Sequence, residues 1–137
     1  MQQVLDLPFE GGIILLGYDL AAPTARPGET TTVKLYWQTQ SPLTVSYKVS
    51  VQLLSPQMQL VAQDDSIPVQ WTYPTTAWLP GEIIVDEHIL TISSETPPGS
   101  FPLIALIYDP KSNKRLTFEQ AGQILDHATL KTVEIAP

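Results

Sequence analysis

The sequence predicts an all-β protein, an immunoglobulin- or fibronectin-III-like antiparallel β-sandwich of about seven or eight strands. The first supporting observation is a Pro-Gly turn that recurs three times, at Pro27-Gly28, Pro80-Gly81 and Pro98-Gly99, each time before an extended segment. Proline fixes φ and glycine accepts a positive φ, so each pair favours a tight turn into a strand. The second observation is that apolar and polar side chains alternate with period two, which is typical of half-buried strands.

The strands can be assigned in order along the chain. We predict strands over 13–20, 30–40, 45–54, 60–65, 83–93, 101–108, 115–118 and 129–135. Alternation over 30–40 places Val33, Leu35 and Trp37 on one face, so we expect these three in the core. Gly17 predicts a bulge or a close backbone contact in the first strand.

Two segments depart from simple alternation. The segment 101–108 is apolar on both faces, which predicts a central strand that is covered on both sides. The segment 119–127 is a weak helical candidate that Gly122 interrupts.

Length, charge and cysteine content limit the domain organisation and the classes of partner and site that the sequence allows. The 137 residues are predicted to form a single domain, 1–137, excised from a larger protein. A net charge of −7 disfavours nucleic-acid partners and anionic lipid surfaces. The absence of cysteine excludes disulfides, zinc–thiolate sites and thiol nucleophiles. No apolar run approaches the roughly 18 residues of a membrane span, and the N-terminus lacks the pattern of a signal peptide.

A series of short motifs runs through residues 10–135. These are Leu16-Gly17-Tyr18, Pro27-Gly28-Glu29, Leu35-Tyr36-Trp37, the segment 60–65, the segment 73–82, Val85-Asp86-Glu87, Pro97-Pro98-Gly99 and Ile107-Tyr108-Asp109-Pro110. The most distinctive is the Trp-x-Pro-Gly-Glu element that starts at Trp78. In this order the motifs resemble the extracytoplasmic β-sandwich domain that follows the membrane region of some bacterial dolichyl-phosphate-mannose-type glycosyltransferases.

The resemblance implies a non-catalytic accessory domain, binding or architectural, of a larger cell-envelope protein, because the catalytic machinery of that family lies in its membrane part. The domain would not be an enzyme by itself. Its partner would be a glycan or a protein at the extracytoplasmic face, with the membrane reached only through the parent protein, although a cytoplasmic location stays open. Two alternatives remain, a stand-alone carbohydrate-binding module and a calcium-stabilised protein-interaction module.

Three aromatic residues are candidate ligand-binding residues. Trp71, Tyr73 and Trp78 lie in the proline-rich irregular segment 66–80. Sugars stack on exposed aromatic faces, so the three rings could form a glycan platform. The favoured alternative is that they cap one end of the sandwich, since aromatic side chains usually serve cores.

Four carboxylates are candidate metal ligands. Asp64 and Asp65 precede the segment 66–80, and Asp86 and Glu87 follow it, so the two pairs could converge. Carboxylate oxygens at the end of a loop suit Ca²⁺, the only cofactor that the sequence suggests. The favoured alternatives are a solvated acidic rim or carboxylates that accept backbone hydrogen bonds, and a glycoside-hydrolase pair is weaker still.

No residue pattern predicts catalysis. His88 and His127 are the only histidines, and neither belongs to a zinc-binding pair. His88 shares a face with Leu90, which favours a packed residue of the sheet over a ligand. No Gly-x-Ser-x-Gly elbow is present.

Overall fold

A computed structural model describes all 137 residues of the chain. The strands are β1 (Gln3–Pro8), β2 (Ile13–Leu20), β3 (Thr24–Ala25), β4 (Thr30–Thr39), β5 (Lys48–Leu54), β6 (Leu60–Ser66), β7 (Ile84–Thr91), β8 (Gly99–Phe101), β9 (Leu103–Tyr108), β10 (Phe118–Gln120), β11 (Gln123–Leu125), β12 (Ala128–Thr129) and β13 (Val133–Ile135). Two single-turn 3₁₀ segments, Glu10–Gly12 and Thr75–Ala77, are the only helical elements. None of the helical elements is long or apolar enough to cross a membrane.

Two four-stranded antiparallel sheets pack face to face. The first sheet has the strand order β1-β2-β4-β7 and the second has the order β12-β9-β5-β6. A three-stranded sheet, β3-β13-β8, and the hairpin β10-β11 complete the structure. The predicted all-β, immunoglobulin-like sandwich is therefore confirmed.

The core lies between the two sheets and contains 28 buried apolar residues. Val33, Leu35 and Trp37 are fully buried, as the alternation in β4 predicts. Phe9 packs against both Trp37 and Phe118, with ring centroids 5.8 and 4.7 Å apart. Each large side chain removed from water in this way contributes about 1.5–3 kcal/mol before the entropy of ordering is subtracted.

The predicted irregularity at Gly17 is confirmed. The pairing of β2 with β4 shifts register between Leu15 and Gly17. A Cβ atom at Gly17 would lie only 2.1 Å from the carbonyl oxygen of Gln3 on β1, so no other residue fits without moving the backbone. The strand β1 is not among the predicted strands, and its pairing with β2 shifts register between Val4 and Leu7.

The helical prediction for 119–127 is wrong. Phe118–Gln120 and Gln123–Leu125 pair as an antiparallel hairpin. Ala121 and Gly122 connect them with φ values of 52° and 79°. Two consecutive positive φ values are the signature of the turns that match the twist of a two-residue hairpin, which is why a glycine stands there.

Several strand boundaries also differ from prediction. The segment 45–54 becomes a strand only from Lys48, and 83–93 shortens to Ile84–Thr91. The segment 129–135 divides into β12 and β13, and the extended run around Phe101 divides into β8 and β9 at Pro102, which has no N–H for the ladder. The two-sided burial predicted for β9 is confirmed, since Ile104 and Leu106 are buried on the face opposite the core.

The strands β6 and β7 form the edges of the two sheets on the same side of the sandwich. The irregular segment 67–83 connects them and carries the candidate aromatic residues. This side of the molecule, which we call the β6–β7 edge, therefore combines backbone from both sheets with the longest connection in the fold.

Candidate functional site

Three consecutive residues of the connecting segment adopt left-handed backbone conformations. Val69, Gln70 and Trp71 have φ values of 57°, 52° and 71°. For residues other than glycine this conformation costs about 1–2 kcal/mol each, and it is especially unfavourable for a β-branched side chain such as valine. Strain of this kind persists only where the surrounding structure enforces it, and it concentrates at binding and active sites.

Hydrogen bonds donated by backbone N–H groups of the connecting segment hold this left-handed turn. The Val69 N–H donates to Asp86 Oδ1 at 2.7 Å, which ties the turn to β7. The Trp71 N–H donates to the carbonyl oxygen of Ile67 at 2.8 Å, and the Tyr73 N–H donates to that of Pro68 at 3.0 Å. The strained residues are thus fixed by a side chain of the sandwich as well as by their own segment.

The carboxylate that holds the turn belongs to a buried network of charged groups. Asp86 Oδ2 lies 2.7 Å from His88 Nε2, and both side chains are fully inaccessible to solvent. The second ring nitrogen, His88 Nδ1, lies 2.9 Å from Oδ2 of the partly exposed Asp64. Since Asp64 is on β6 and Asp86 and His88 are on β7, the network joins the two sheets at the edge where they meet.

Both nitrogens of His88 face carboxylate oxygens, and an imidazole ring donates from both only when it is protonated. Burial lowers the pKa of His88, but the hydrogen bonds and charges of Asp86 and Asp64 outweigh burial, and the pKa is raised above its ordinary value. The geometry therefore favours an imidazolium between two carboxylates.

A depression of about 220 Å³ opens at this edge, lined by Asp64, Ser66, Gln70, Trp71 and Ile89. The Trp71 side chain is 57% exposed, although tryptophan is a residue that proteins usually bury. Ser66 is buried, and its Oγ has no hydrogen-bond partner in the protein. This oxygen is itself inaccessible to solvent, as are the unpaired Thr31 Oγ1 and Trp37 Nε1, so it is not presented to the depression.

The three predicted aromatic residues do not form one platform. Trp78 is only 3% exposed, and its Nε1–H donates to the carbonyl oxygen of Tyr73 at 3.1 Å. The Tyr73 hydroxyl donates to Glu82 Oε1 at 2.6 Å, a contact that holds the connecting segment together. Trp78 and Tyr73 therefore stabilise the fold, and Trp71 is the aromatic residue that faces solvent.

The four predicted metal ligands also do not converge. Asp64 and Asp86 meet through His88, but Asp65 points to the opposite face of the second sheet, where Ser50 Oγ donates to it at 2.6 Å and the Tyr108 hydroxyl at 2.8 Å. Glu87 lies on the outward side of β7, in register with Lys34. No group of three or more acidic, histidine or cysteine side chains is arranged to hold a metal ion.

A second depression lies on the other side of Lys48. Its volume is about 360 Å³, and Lys48 lines it together with Lys111 from the turn after β9. The ammonium nitrogen of Lys48 lies over the Trp71 ring, 4.9 Å from its centroid. Lys48 thus contacts the exposed indole and also forms part of the wall of this depression.

Sequence reasoning missed Gln70 and the role of His88. A signal for His88 was present, because Asp86 and His88 are two residues apart in a strand and share its inward face with Leu90. A buried histidine beside a buried aspartate predicts an ion pair. No pattern in the sequence predicts that Gln70 turns left-handed, since glycine and asparagine are the residues typical of that conformation.

No protein-family model and no curated protein matches the sequence. Solved structures share the fold at low identity, among them the following two. The alkylpurine DNA glycosylase AlkC of Pseudomonas fluorescens, bound to DNA containing an abasic-site analogue, matches 92% of the chain with 11% identity and a TM-score of 0.52, and the match spans 31% of that protein. A Niemann-Pick type C2 protein from the Japanese carpenter ant matches 98% of the chain and 96% of its own length, with 7% identity and a TM-score of 0.52. At these identities the likeness concerns the fold alone.

Proposed function

We propose that this domain is a non-catalytic saccharide-binding module that serves as an accessory domain of a larger cell-envelope protein. The observation that carries the proposal is Trp71, a largely exposed indole on a strained turn at the rim of a polar depression. A protein that only needed to connect β6 with β7 would gain nothing from three left-handed residues that expose a tryptophan.

The composition of the depression matches the chemistry of a sugar. The apolar C–H face of a pyranose ring packs on a flat indole such as that of Trp71. Sugar hydroxyls both donate and accept hydrogen bonds, and Asp64 and Gln70 offer a carboxylate acceptor and an amide beside that indole. An apolar surface with a few converging polar groups is typical of small-ligand sites.

The same contacts argue against catalysis at this edge. A serine nucleophile needs a neutral imidazole nitrogen as its general base, and both nitrogens of His88 are occupied by Asp64 and Asp86. A glycoside hydrolase needs two carboxylates that reach the substrate, and Asp86 is fully buried. The arrangement suits binding without turnover.

The context of the module is part of the proposal. The order of motifs that resembles the extracytoplasmic domains of dolichyl-phosphate-mannose-type glycosyltransferases supports a parent enzyme of that class, with this domain near its acceptor or product at the extracytoplasmic face. A nucleic-acid ligand, as in the DNA-bound glycosylase, is disfavoured because the chain carries a net charge of −7.

The test is a calorimetric and fluorescence titration of the purified domain with a panel of bacterial cell-surface oligosaccharides. We expect at least one class of oligosaccharide to bind and to quench tryptophan emission. Trp71→Ala should abolish that binding, whereas Leu60→Ala, which trims another exposed apolar side chain of the same edge region, should preserve it. Binding that survives Trp71→Ala, or a panel in which nothing binds, would contradict the proposal.

A further inference from the structure

The two depressions beside Trp71 differ in charge. The depression at the β6–β7 edge contains Asp64, which shares the single imidazolium of His88 with Asp86, so this side of Trp71 carries no net positive charge. The neighbouring depression contains Lys48 and Lys111, and neither ammonium group takes part in an ion pair of the structure. In a chain with 14 acidic residues and only seven lysines and arginines, two lysines at one depression are a local concentration of positive charge.

The only carboxylate in that wall is already engaged. Asp109 Oδ1 accepts a hydrogen bond from the backbone N–H of Lys111 at 2.9 Å, which shapes the turn after β9. Hydroxyl-bearing residues, Thr44, Ser46 and Thr76, complete the polar part of the wall. The depression therefore has two cations against the single carboxylate of Asp109, with hydroxyl donors beside them, and this net positive lining suits an anionic group.

The position of Lys48 links this cationic depression to the indole. Its ammonium nitrogen lies over the Trp71 ring, and a cation–π contact of this kind holds a flexible lysine near one position. Lys48 thus covers one face of the indole, and a ligand that packs on the other face has this positive charge close to its ring.

We propose that the ligand of this site is an acidic saccharide, with its sugar ring on Trp71 and its anionic group between Lys48 and Lys111. This inference rests on the proposed saccharide-binding function and adds the charge of the ligand to it. Ammonium groups are compact point charges without the planar fork of arginine, so a carboxylate and a sulfate or phosphate ester fit equally well. Both kinds of acidic sugar are therefore used as probes.

The experiment compares matched pairs of oligosaccharides by calorimetry. One pair is oligogalacturonate and its methyl ester, and the other is a sulfated dextran oligomer and the unsulfated oligomer. We expect an acidic member to bind at least about tenfold more tightly than its neutral partner, with an affinity that falls as salt is added. The pair that gives this difference identifies the anionic group.

Lysine variants test whether Lys48 and Lys111 cause the difference in affinity between acidic and neutral oligomers. Lys48→Met and Lys111→Met keep most of the aliphatic stem and remove the charge. We expect the double variant to bind the acidic oligomer only as tightly as it binds the neutral one. Lys131→Met removes a lysine elsewhere on the surface and should leave the preference unchanged. Circular dichroism and the unfolding midpoint establish that each variant is folded.

The outcomes separate the two proposals. Equal affinity for acidic and neutral oligomers, with binding still lost in Trp71→Ala, overturns the acidic ligand and leaves the saccharide module standing. A preference that survives the double variant, or that Lys131→Met removes equally, also overturns it, since a diffuse charge effect would then be responsible. If no oligomer binds, the proposed function fails and this inference fails with it.

Discussion

Asp64 and Asp65 are neighbours on β6, but they belong to two different regions of the molecule. Asp64 faces the edge between the sheets, where it binds His88 and lines the depression with Trp71. Asp65 faces the outside of the second sheet, where it accepts hydrogen bonds from Ser50 and Tyr108. Successive side chains of a strand point to opposite faces, so two adjacent and identical residues can have unrelated tasks.

The two regions also differ in what holds them together. Asp86 and His88 are sealed from solvent, so each is tolerable as an ion only because the other is present. The network around Asp65 is partly exposed, and water can replace a lost partner there. The difference predicts that similar substitutions have very different costs in the two regions.

The largest effect is expected for Asp86→Ala. The substitution leaves the buried His88 without its closest partner and frees the Val69 N–H, and we expect a loss of about 3–5 kcal/mol in the free energy of unfolding. Urea denaturation measures the loss. Glu87→Ala, which removes the adjacent carboxylate on the outward side of the strand, is the control and should cost less than about 0.5 kcal/mol. Equal losses in the two variants would remove the distinction between the regions.

The pH dependence of stability sharpens the comparison. The pKa of His88 is raised in the folded protein, so its stabilising contribution is complete below the unfolded value of about 6.5 and is lost as the pH rises through the folded pKa. Only Asp64 and Asp86 form ion pairs with the ring. We expect the free energy of unfolding to fall as the pH is raised from mildly acidic to alkaline values, through the range between the unfolded and the folded pKa of His88.

Two substitutions identify the histidine that causes this fall in the free energy of unfolding with pH. His88→Gln should remove the fall, and His127→Gln should leave it unchanged. If His88→Gln does not fold, the NMR titration of the His88 ring in the unmodified domain gives the same information. A ring that titrates below the ordinary histidine value would contradict the imidazolium network.

A smaller effect is expected for Tyr108→Phe in the second region. The loss of one hydrogen bond to a partly exposed carboxylate should cost about 0.5–1.5 kcal/mol in the free energy of unfolding. Burial, together with the hydrogen bond and charge of Asp65, raises the pKa of Tyr108 to about 12, so spectrophotometric titration of Asp65→Asn should detect a tyrosine that ionises at lower pH. A stability loss as large as that of Asp86→Ala would contradict the assignment of this network to the surface.

The smallest effect is expected for calcium. The carboxylates of Asp64, Asp65 and Asp86 already bind protein groups, and Glu87 lies apart from them. We expect millimolar Ca²⁺ to leave the melting temperature unchanged, as measured by calorimetry with and without a chelator. A rise of several degrees would revive the calcium-stabilised module through binding to the folded state.

The sequence predicts the features that depend on period and local turn chemistry. The alternation of Val33, Leu35 and Trp37 and the bulge at Gly17 follow from side-chain direction and the lack of a Cβ, and both are confirmed. The hairpin through Ala121 was missed, because each of its strands is only three residues long and a period cannot be detected over so short a run.

The site depends on contacts between segments that are distant in the sequence. Trp71 and Trp78 lie in the same proline-rich segment, and nothing local distinguishes the exposed indole from the buried one. Trp71 ends a left-handed run that begins at Val69, whose N–H bonds to Asp86, whereas the Trp78 indole N–H bonds to the carbonyl oxygen of Tyr73. A side chain that fixes a backbone 17 residues away cannot be read from local propensity.

The central claim is that Trp71 is the ligand platform, and the most direct test is an NMR titration that follows the three indole N–H signals of the domain. Trp37 is fully buried, Trp78 is bonded to Tyr73, and Trp71 is exposed, so the three resonances report on separate environments. We predict that an oligosaccharide that binds shifts the Trp71 signal and leaves those of Trp37 and Trp78 in place. A Trp71 signal that does not move while the oligosaccharide binds would contradict the account.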